Sequence, residues 1–594
     1  GKHRASGRPK TALRPFVFRL PILSKIMNIT DTPDTDSIPA AQSVNRLFAH
    51  IAPAAAETVT PFVERLFAAL SHGNTFIYIS QAEADALAQA APLVGSDASS
   101  PVVLHGRRLF IAKYWHLEKQ LAAEIQRLSA HTPRQPEKPL AELLANWFAD
   151  DTSRDQRAAA ALALLKNFVL ISGGPGTGKT TTVAKLLALL HRQPAPRTAL
   201  VAPTGKAAAR LTESLHRASA AIPDLDAEAQ RYLASLTGQT VHRLLGLKPP
   251  QMQPEYHAHN PLPLDCVLID EASMMDNHLL YQLLAALPSH CRVILLGDAD
   301  QLPSVGAGAV LDALSHNHQM QPETTAALRQ LLPDVEHFPT LAEQHARLTI
   351  SHRFHAQSGI GNLARAVQQG SASAWHAIAE HPNKLSAQPR NLAALVAQLY
   401  QHHTAYWQAI RAGNLAAAFA EQSRLIVLTA LRHDADHINH LYRTLLQQHG
   451  HTRPQSPWYA GQIIMITRNA PSQQLYNGDI GIIMQSENDG NDLRACFPSE
   501  SANGSGYRSI PLSRLPEHET AYAITTHKSQ GSEYEQVWLA APAQAPYSRA
   551  LLYTAITRAK QQFVYWGDEA GFQAACTHNE HRNSALGMFL KNAG

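Results

Sequence analysis

The stretch "FVLISGGPGTGKTTTVAKLLALLH" (168–191) constrains this chain more than any other. Its opening, "FVLIS", has the length and β-branched content of a buried strand, and "TTVAKLLALLH" reads as a helix. Between them Gly173, four residues, then Gly178-Lys179-Thr180 give the spacing of a phosphate-binding loop. Glycines there let backbone N–H groups close around phosphate oxygens at a helix N-terminus, where the dipole favours an anion. Gly173, Gly174, Pro175, Gly176, Thr177, Gly178 and Thr181 form the cradle. Lys179 is expected to reach the β- and γ-phosphates, and the Thr180 hydroxyl to hold Mg²⁺. The stretch commits the chain to an α/β fold and to a nucleotide, ATP, as ligand. It does not say what hydrolysis drives.

The pattern continues along the chain. From about residue 155, short apolar strands alternate with helices: "TALVAP" (198–203), "CVLID" (266–270) and "RVILLG" (292–297) predict a parallel sheet. A helical stretch rich in Ala, Leu and His covers about 355–420. "RLIVLTA" (424–430), "YAITT" and "QVWLAAP" then form a second set of buried strands. Residues 458–520 break into short strands, "GQIIMITRNA", "GDIGIIMQ" and "DLRACFP", at Asn, Gly and Asp turns, which predicts a small all-β barrel inserted in the second α/β domain. Residues 42–150 read as a mostly helical domain, interrupted by "NTFIYIS" and a strand pair around "PVVLHGRRLFIAKYWH". The expected boundaries are 1–27, a basic and disordered tail; 28–145, an N-terminal domain; 146–345, a first α/β domain; and 346–594, a second.

Composition narrows the classes. A net charge of only +4 over 594 residues confines any nucleic-acid site to a local channel. The four cysteines, Cys266, Cys291, Cys496 and Cys576, include no C-x-x-C pair, which argues against a disulfide framework and for a reducing cytosol. Cys576, His578 and His581 could be half of a zinc site, but no second ligand pair completes it. No uninterrupted apolar run reaches the roughly 18 residues of a membrane span. In the basic first stretch a signal or transit peptide would be broken by Arg19 and Pro21, and a mis-set start, with non-native residues ahead of Met27, reads better.

Further motifs supply candidate chemistry. "VLIDEASMMD" ends a strand on Asp270-Glu271, where a phosphate-loop ATPase holds Mg²⁺ and polarises the attacking water. In "LLGDADQLPSVGAG" (295–308), Gln301 is a neutral side chain able to sense a γ-phosphate. "VAPTGKAAARL" (201–211) offers Thr204 and Lys206 among small residues, which suits close approach to a phosphodiester. "QTVHRLLG" adds Thr240, His242 and Arg243, with His242 equally readable as a structural histidine. Arg353 in "LTISHRF" and Arg558 in "LLYTAITRAK" are candidate arginine fingers. "AITTHKSQGSEYEQVWL" is a polar loop between strands, carrying Thr526, His527, Lys528, Gln530 and Glu533.

Taken in order, "GGPGTGKTT", "APTGKAA", "TVHRLLG", "DEAS", "GDADQLPSVGAG", "SHRF", "NGDIG", "THKSQGSEY" and "YTAITRAK" resemble the motif series of superfamily 1 helicases over about 150–565. "DEASMMD", "LYNGDIGI" and "LLYTAITRAK" most closely resemble the RecD group, the alpha subunit of exodeoxyribonuclease V (RecBCD). The resemblance implies two RecA-like motor domains, with an SH3-like barrel as the insertion. It also implies that Gln156 in "RDQRAAA" contacts adenine and Glu533 the ribose. Lys179, Thr180, Asp270 and Glu271 would serve phosphates, Mg²⁺ and water, with Gln301, Arg353 and Arg558 around the γ-phosphate. Thr204, Lys206, His242, Thr526 and His527 would contact DNA. The helicase pin corresponds to the short, proline-rich stretch 247–263, too slight to part strands alone.

The function so implied is an ATP-dependent 5′→3′ DNA helicase, cytoplasmic, in double-strand break repair by homologous recombination. It would act on single strands and duplex ends, within a heterotrimer with RecB-like and RecC-like subunits. Residues 28–150 show none of the Gly-x-Gly hairpins of the long stand-alone relatives, so the chain resembles the shorter kind that works inside a complex. Residues 28–145, rich in amphipathic helix and without a nucleotide or metal constellation, would be the partner-docking domain or, on the alternative reading, a brace on the first motor domain. No acidic cluster with a nearby lysine marks a nuclease site, so cutting is expected in a partner chain. The rival readings are a stand-alone helicase or conjugative-type motor and, in another class, an ATP-dependent assembly clamp that does not translocate. Glu271 and the two arginines favour hydrolysis over a clamp.

Overall fold

The computed structural model describes residues 37–130, 138–191, 195–248, 252–315, 319–353, 358–485, 492–499, 506–543 and 546–591. The tail expected to be disordered, 1–27, lies outside them. The described chain forms two compact units. One runs up to Ala122 and includes Gly306–Ala309 and the chain from Arg582; the other holds Ala123–Val305 and Val310–His581.

In the first unit, helices Ser37–Ile51 and Pro53–Ser71 pack on each other and bury Phe48, Val59, Val63 and Leu66. They cover a sheet of β1 (Phe76–Tyr78), β2 (Val94–Gly95), β3 (Val102–His105) and β4 (Arg108–Ile111), in the order β1-β4-β3-β2. The domain expected to be helical is therefore mixed: "NTFIYIS" finds an antiparallel partner in "RLFI". The C-terminal segment completes it. Buried Glu118 accepts from Thr75 Oγ1 at 2.9 Å, the Ala585 amide at 2.9 Å and Ser584 Oγ at 2.5 Å. The Trp115 and Phe589 rings meet edge-on at 4.8 Å. The last residues thus leave the second α/β domain to which the sequence assigned them.

The second unit begins within the helix Ala112–Ser129, well before the expected boundary near 145. Leu140, Leu144 and Trp147 already belong to the core of its first sheet. That sheet contains β5 (Phe168–Gly173), β6 (Thr198–Ala202), β7 (Gly238–Thr240), β8 (Cys266–Ile269), β9 (Arg292–Gly297) and β10 (His345–Leu348). The order is β10-β5-β9-β8-β6-β7, parallel throughout. β5, β8 and β9 are buried along their whole length, as strands covered by helices on both faces must be. The alanines of "RDQRAAAALALL" (154–165) have no bulk to hold neighbours off, so this helix packs closely on the helix Lys179–His191 and on β10.

The second sheet starts with β11 (Leu385–Gln388) and β12 (Leu425–Thr429). The chain then departs into an antiparallel sheet of β13 (Ile463–Ile466), β14 (Ile480–Gln485), β15 (Leu493–Pro498), β16 (Tyr507–Pro511) and β17 (His518–Thr520), ordered β16-β15-β14-β13-β17. Ile464, Ile466, Ile483, Phe497 and Ile510 fill its separate small core. The chain returns as β18 (Ala523–Thr525), β19 (Tyr534–Ala540) and β20 (Ala559–Trp566), giving the parallel order β11-β20-β19-β12-β18. β12 and β18, which flank the insertion, are direct neighbours, Val427 facing Ala523. The insertion therefore leaves and re-enters at one edge of the sheet.

Candidate active site

In a parallel sheet the loops that leave the C-terminal strand ends share one edge, and ligands collect there. Across the first sheet this rule lines the motifs up in space. The loop after β10 carries His352 and Arg353, and the phosphate loop follows β5. Asp298 and Gln301 follow β9, and Asp270 and Glu271 follow β8. Thr204, Lys206 and Arg210 follow β6, and His242 follows β7. Residues far apart in sequence become neighbours because β10, β5, β9, β8, β6 and β7 lie side by side.

The loops after β10, β5, β9 and β8, with Arg210, surround a cavity of about 730 Å³, lined among others by Gln156, Pro175–Thr181, Asp270, Glu271, Gln301 and Arg558; Thr204, Lys206 and His242 do not line it. Gly176 and Gly178 have φ of +77° and +82°, a left-handed backbone that side chains resist. A Cβ on Gly176 would lie 2.3 Å from Arg353 Cβ, so this glycine also lets Arg353 close in. Lys179 Nζ donates to the carbonyl oxygens of Gly173 and, at 3.2 Å, Gly174. Gln156 is buried, its amide donating to Thr177 O at 3.1 Å and lying 2.8 Å from His352 Nε2.

At this site two carboxyls, Asp270 and Asp298, are raised and a third, Glu533, is lowered. Burial, then the neighbouring Glu271 charge, raise the Asp270 carboxyl above its ordinary range, although the Glu271 amide donates to it at 2.9 Å. Asp298 is pushed up to about 6 by burial, against the pull of Lys179. Its Oδ2 accepts from Gln301 Nε2 at 3.0 Å and from the Tyr553 hydroxyl at 3.1 Å. For Glu533, burial alone would raise the carboxyl, but Arg210 and Arg353 outweigh it and hold the group at about 2. Arg353 lies 2.8 Å away and Lys560 3.7 Å away, and the Arg210 guanidinium donates directly.

The second sheet contributes through its N-terminal strand ends. Glu533 precedes β19 and Arg558 precedes β20, and the Tyr534 amide donates to Arg558 O at 2.9 Å, which fixes the two together. Arg558 is buried at 3% exposure, beside the charges of Glu271 and Glu533. Gln530 Nε2 donates to Leu302 O at 2.8 Å and the Leu302 amide to Thr554 Oγ1 at 2.9 Å, so the loop after β9 is bonded to the second sheet on both sides.

The expected nucleotide residues, apart from Gly173 and Gly174, thus line one cavity. Glu533, expected on a ribose, faces cations from three directions. The expected DNA residues are more scattered. Thr204 caps the helix Gly205–Ala220 by accepting from the Ala207 amide. Lys206 is half-buried; burial lowers its pKa while Asp479 of the insertion supports its charge. Burial likewise lowers His242, against Asp276. His527 is half-buried in the turn after β18. Thr526 is fully buried, its hydroxyl donating to Thr429 O at 3.0 Å; as placed it supports its loop and does not offer that hydroxyl to a strand. Of the pin stretch, 249–251 lie outside the described residues, and the rest makes a small turn bridged between His257 and Asn260.

Three participants were not singled out from the sequence. Asp298 ends its strand as Asp270 does, so the same strand-end-acid signal applies to it. Arg210 lies one helical turn beyond Lys206. Tyr553 opens "YTAITRAK" but gives no sign of its role, because its partner is 255 residues away.

The family model described as an AAA domain matches residues 156–307, and that of the UvrD-like helicase C-terminal domain matches 520–564. The RecBCD enzyme subunit RecD of Mycobacterium tuberculosis is 35% identical over 86% of this chain and 84% of its own. The ATP-dependent RecD2 DNA helicase of Deinococcus radiodurans is 30% identical over 81% of this chain and 58% of its own. Among solved structures, a Bacteroides Pif1 helicase with ADP-AlF3 and ssDNA is 17% identical, with a TM-score of 0.36 over 72% of this chain and 93% of that one. With its ordered motifs and two parallel-sheet domains, this chain belongs to the RecD family of superfamily 1 helicases.

Proposed function

We propose that the chain is an ATP-driven DNA helicase, moving 5′→3′ as the RecD-type subunit of a RecBCD-type complex in double-strand break repair. The observation that carries this reading is Arg558. It stands at the second sheet, buried against Glu271 of the first, so the catalytic set is complete only when both motor domains contribute. A machine that must convert turnover into relative domain motion requires that division.

The residues fit a nucleotide triphosphate with a hard cation. Thr180 and Asp270 offer oxygen donors of the kind Mg²⁺ takes, beside a Lys179 charge that acts on both Asp270 and Asp298. Gln301 Oε1 and Arg558 Nε are buried without a hydrogen-bond partner in the structure, one acceptor and one donor suited to a water and a phosphate oxygen. Bound Mg²⁺ would neutralise phosphate charge. Lys179 binds the β- and γ-phosphates, and Glu271 accepts the proton of the attacking water. Arg353 and Arg558 bear on the charge that develops on the γ-phosphate. Gln156 holds the base. Thr204, Lys206, His242 and His527, in the loops and helix starts after their strands, are read as the DNA contacts, with Thr526 supporting its loop. The inserted sheet is read as SH3-like, the unit before Ala122 as the surface for RecB-like and RecC-like partners, and the compartment as the cytoplasm.

The test is DNA-stimulated ATP hydrolysis. Lys179→Gln should abolish it with the fold intact, and Arg558→Ala should lower kcat by about 10³-fold or more while nucleotide still binds. Near-normal turnover in Lys179→Gln would overturn the assignment.

A further inference from the structure

Asp298, 4% exposed, is a buried acid at the site to which the reaction described above gives no role. Its Oδ2 accepts two hydrogen bonds, one from Gln301 Nε2 three residues on, at 3.0 Å, and one from the Tyr553 hydroxyl, at 3.1 Å. Its Oδ1 accepts from the Asp300 amide. The carboxylate is therefore clamped by its own loop and by one residue from the second motor domain. Tyr553 is 4% exposed, and a Cβ built on Gly174 would come 2.9 Å from its oxygen, so the hydroxyl also lies against the phosphate loop.

The consequence falls on Gln301. With its NH₂ spent on Asp298, its carbonyl oxygen is the end left to accept a bond, and that oxygen is buried without a partner. Without the clamp the amide could turn over and present an NH₂ group instead. The helix Arg549–Thr557 that carries Tyr553 also carries Thr554, the acceptor for the Leu302 amide, and ends at Arg558. One rigid helix therefore brings the arginine and fixes the loop that holds the glutamine.

We propose that Tyr553 is a positioning residue: its hydroxyl, through Asp298, sets the Gln301 amide for the attacking water only when the second motor domain is docked. Arg558 and Gln301 thus arrive in register as one event, which suppresses hydrolysis in the undocked state. This inference rests on the ATPase reading above.

Tyr553→Phe removes one oxygen and leaves the ring in place. Wild type, Tyr553→Phe and Lys179→Gln are compared in DNA-stimulated ATP turnover, in ADP and ADP–aluminium fluoride binding, and in thermal stability. For Tyr553→Phe the expected result is about a tenfold fall in kcat, the factor one hydrogen bond to a charged group commands, with KM for ATP changed less than about twofold. Affinity for ADP–aluminium fluoride should fall by a similar factor, with ADP affinity and melting temperature held. Unchanged kcat, or a loss shared equally by ADP binding or by stability, overturns the proposal. If Lys179→Gln retains turnover, the ATPase reading falls as well; if it is inactive while Tyr553→Phe behaves as wild type, only this inference falls.

Discussion

Glu533 shows what a single side chain can hold together. Its carboxylate joins Arg210, from the helix after β6, to Arg353, from the loop after β10, and lies at 10% side-chain exposure. Because those cations hold it at about 2 in the folded chain, well below the ordinary 4.5, its stabilising contribution is full above pH ~4.5. The contribution is lost as pH falls from there towards 2. Glu533→Gln should therefore be less stable than wild type near neutrality and approach it on acidification; denaturant titrations at pH 7 and pH 3 measure the gap. A gap that stayed constant would mean that the pairs contribute nothing net. The sequence showed an acid in a polar loop. It could not show three cations from distant segments, since nothing local brings them there.

At the scale of elements, the buried strands were the most legible feature: "RVILLG" is β9 residue for residue, and "FVLIS" is β5 short of its last glycine. Parallel strands sealed on both faces must be continuously apolar, and that shows in any window. Short edge strands such as β7, "GQT", and β11, "LSAQ", carry no such signal; their neighbours make them strands. The insertion was legible from its turns, but the device that seats it was not. Asn439 accepts from the Ala523 amide at 2.9 Å and donates to the carbonyls of Thr520 and Ala523 at 2.9 Å, which fastens the point where the chain re-enters the second sheet. Asn439→Leu keeps the volume and strands those buried groups, so it should cost about 2 kcal/mol. Urea unfolding is the measurement, and a neutral result would show that water replaces the amide.

For the whole molecule, the first unit is built from both ends of the chain. Glu118 depends on Ser584 and Ala585, the Thr75 amide donates to Asn583 O at 2.8 Å, and the Arg582 guanidinium donates to the carbonyl of Gly306 at 2.9 Å. Truncation after His581 would take the Ser584 and Ala585 donors from the buried Glu118 carboxylate and Phe589 from Trp115, a loss on the order of 3 kcal/mol or more. Residues 37–122 should then become the first site of limited proteolysis, while nucleotide binding persists, because no residue lining the cavity lies beyond 581. Unchanged protection of 37–122 would show that the unit closes without its C-terminal part.

The sequence by itself determined the chemistry and the kind of scaffold. A glycine loop of this spacing between a buried strand and a helix suits phosphate binding, and the spacing of apolar strands and turns follows from local backbone and burial rules. The tertiary structure decided which distant residues complete one another. Glu533 sits among arginines, Tyr553 on Asp298, and a C-terminal strap on an N-terminal acid. Such pairings carry no periodicity and no local propensity. They exist only because strand order and chain return set side chains hundreds of residues apart within hydrogen-bonding distance.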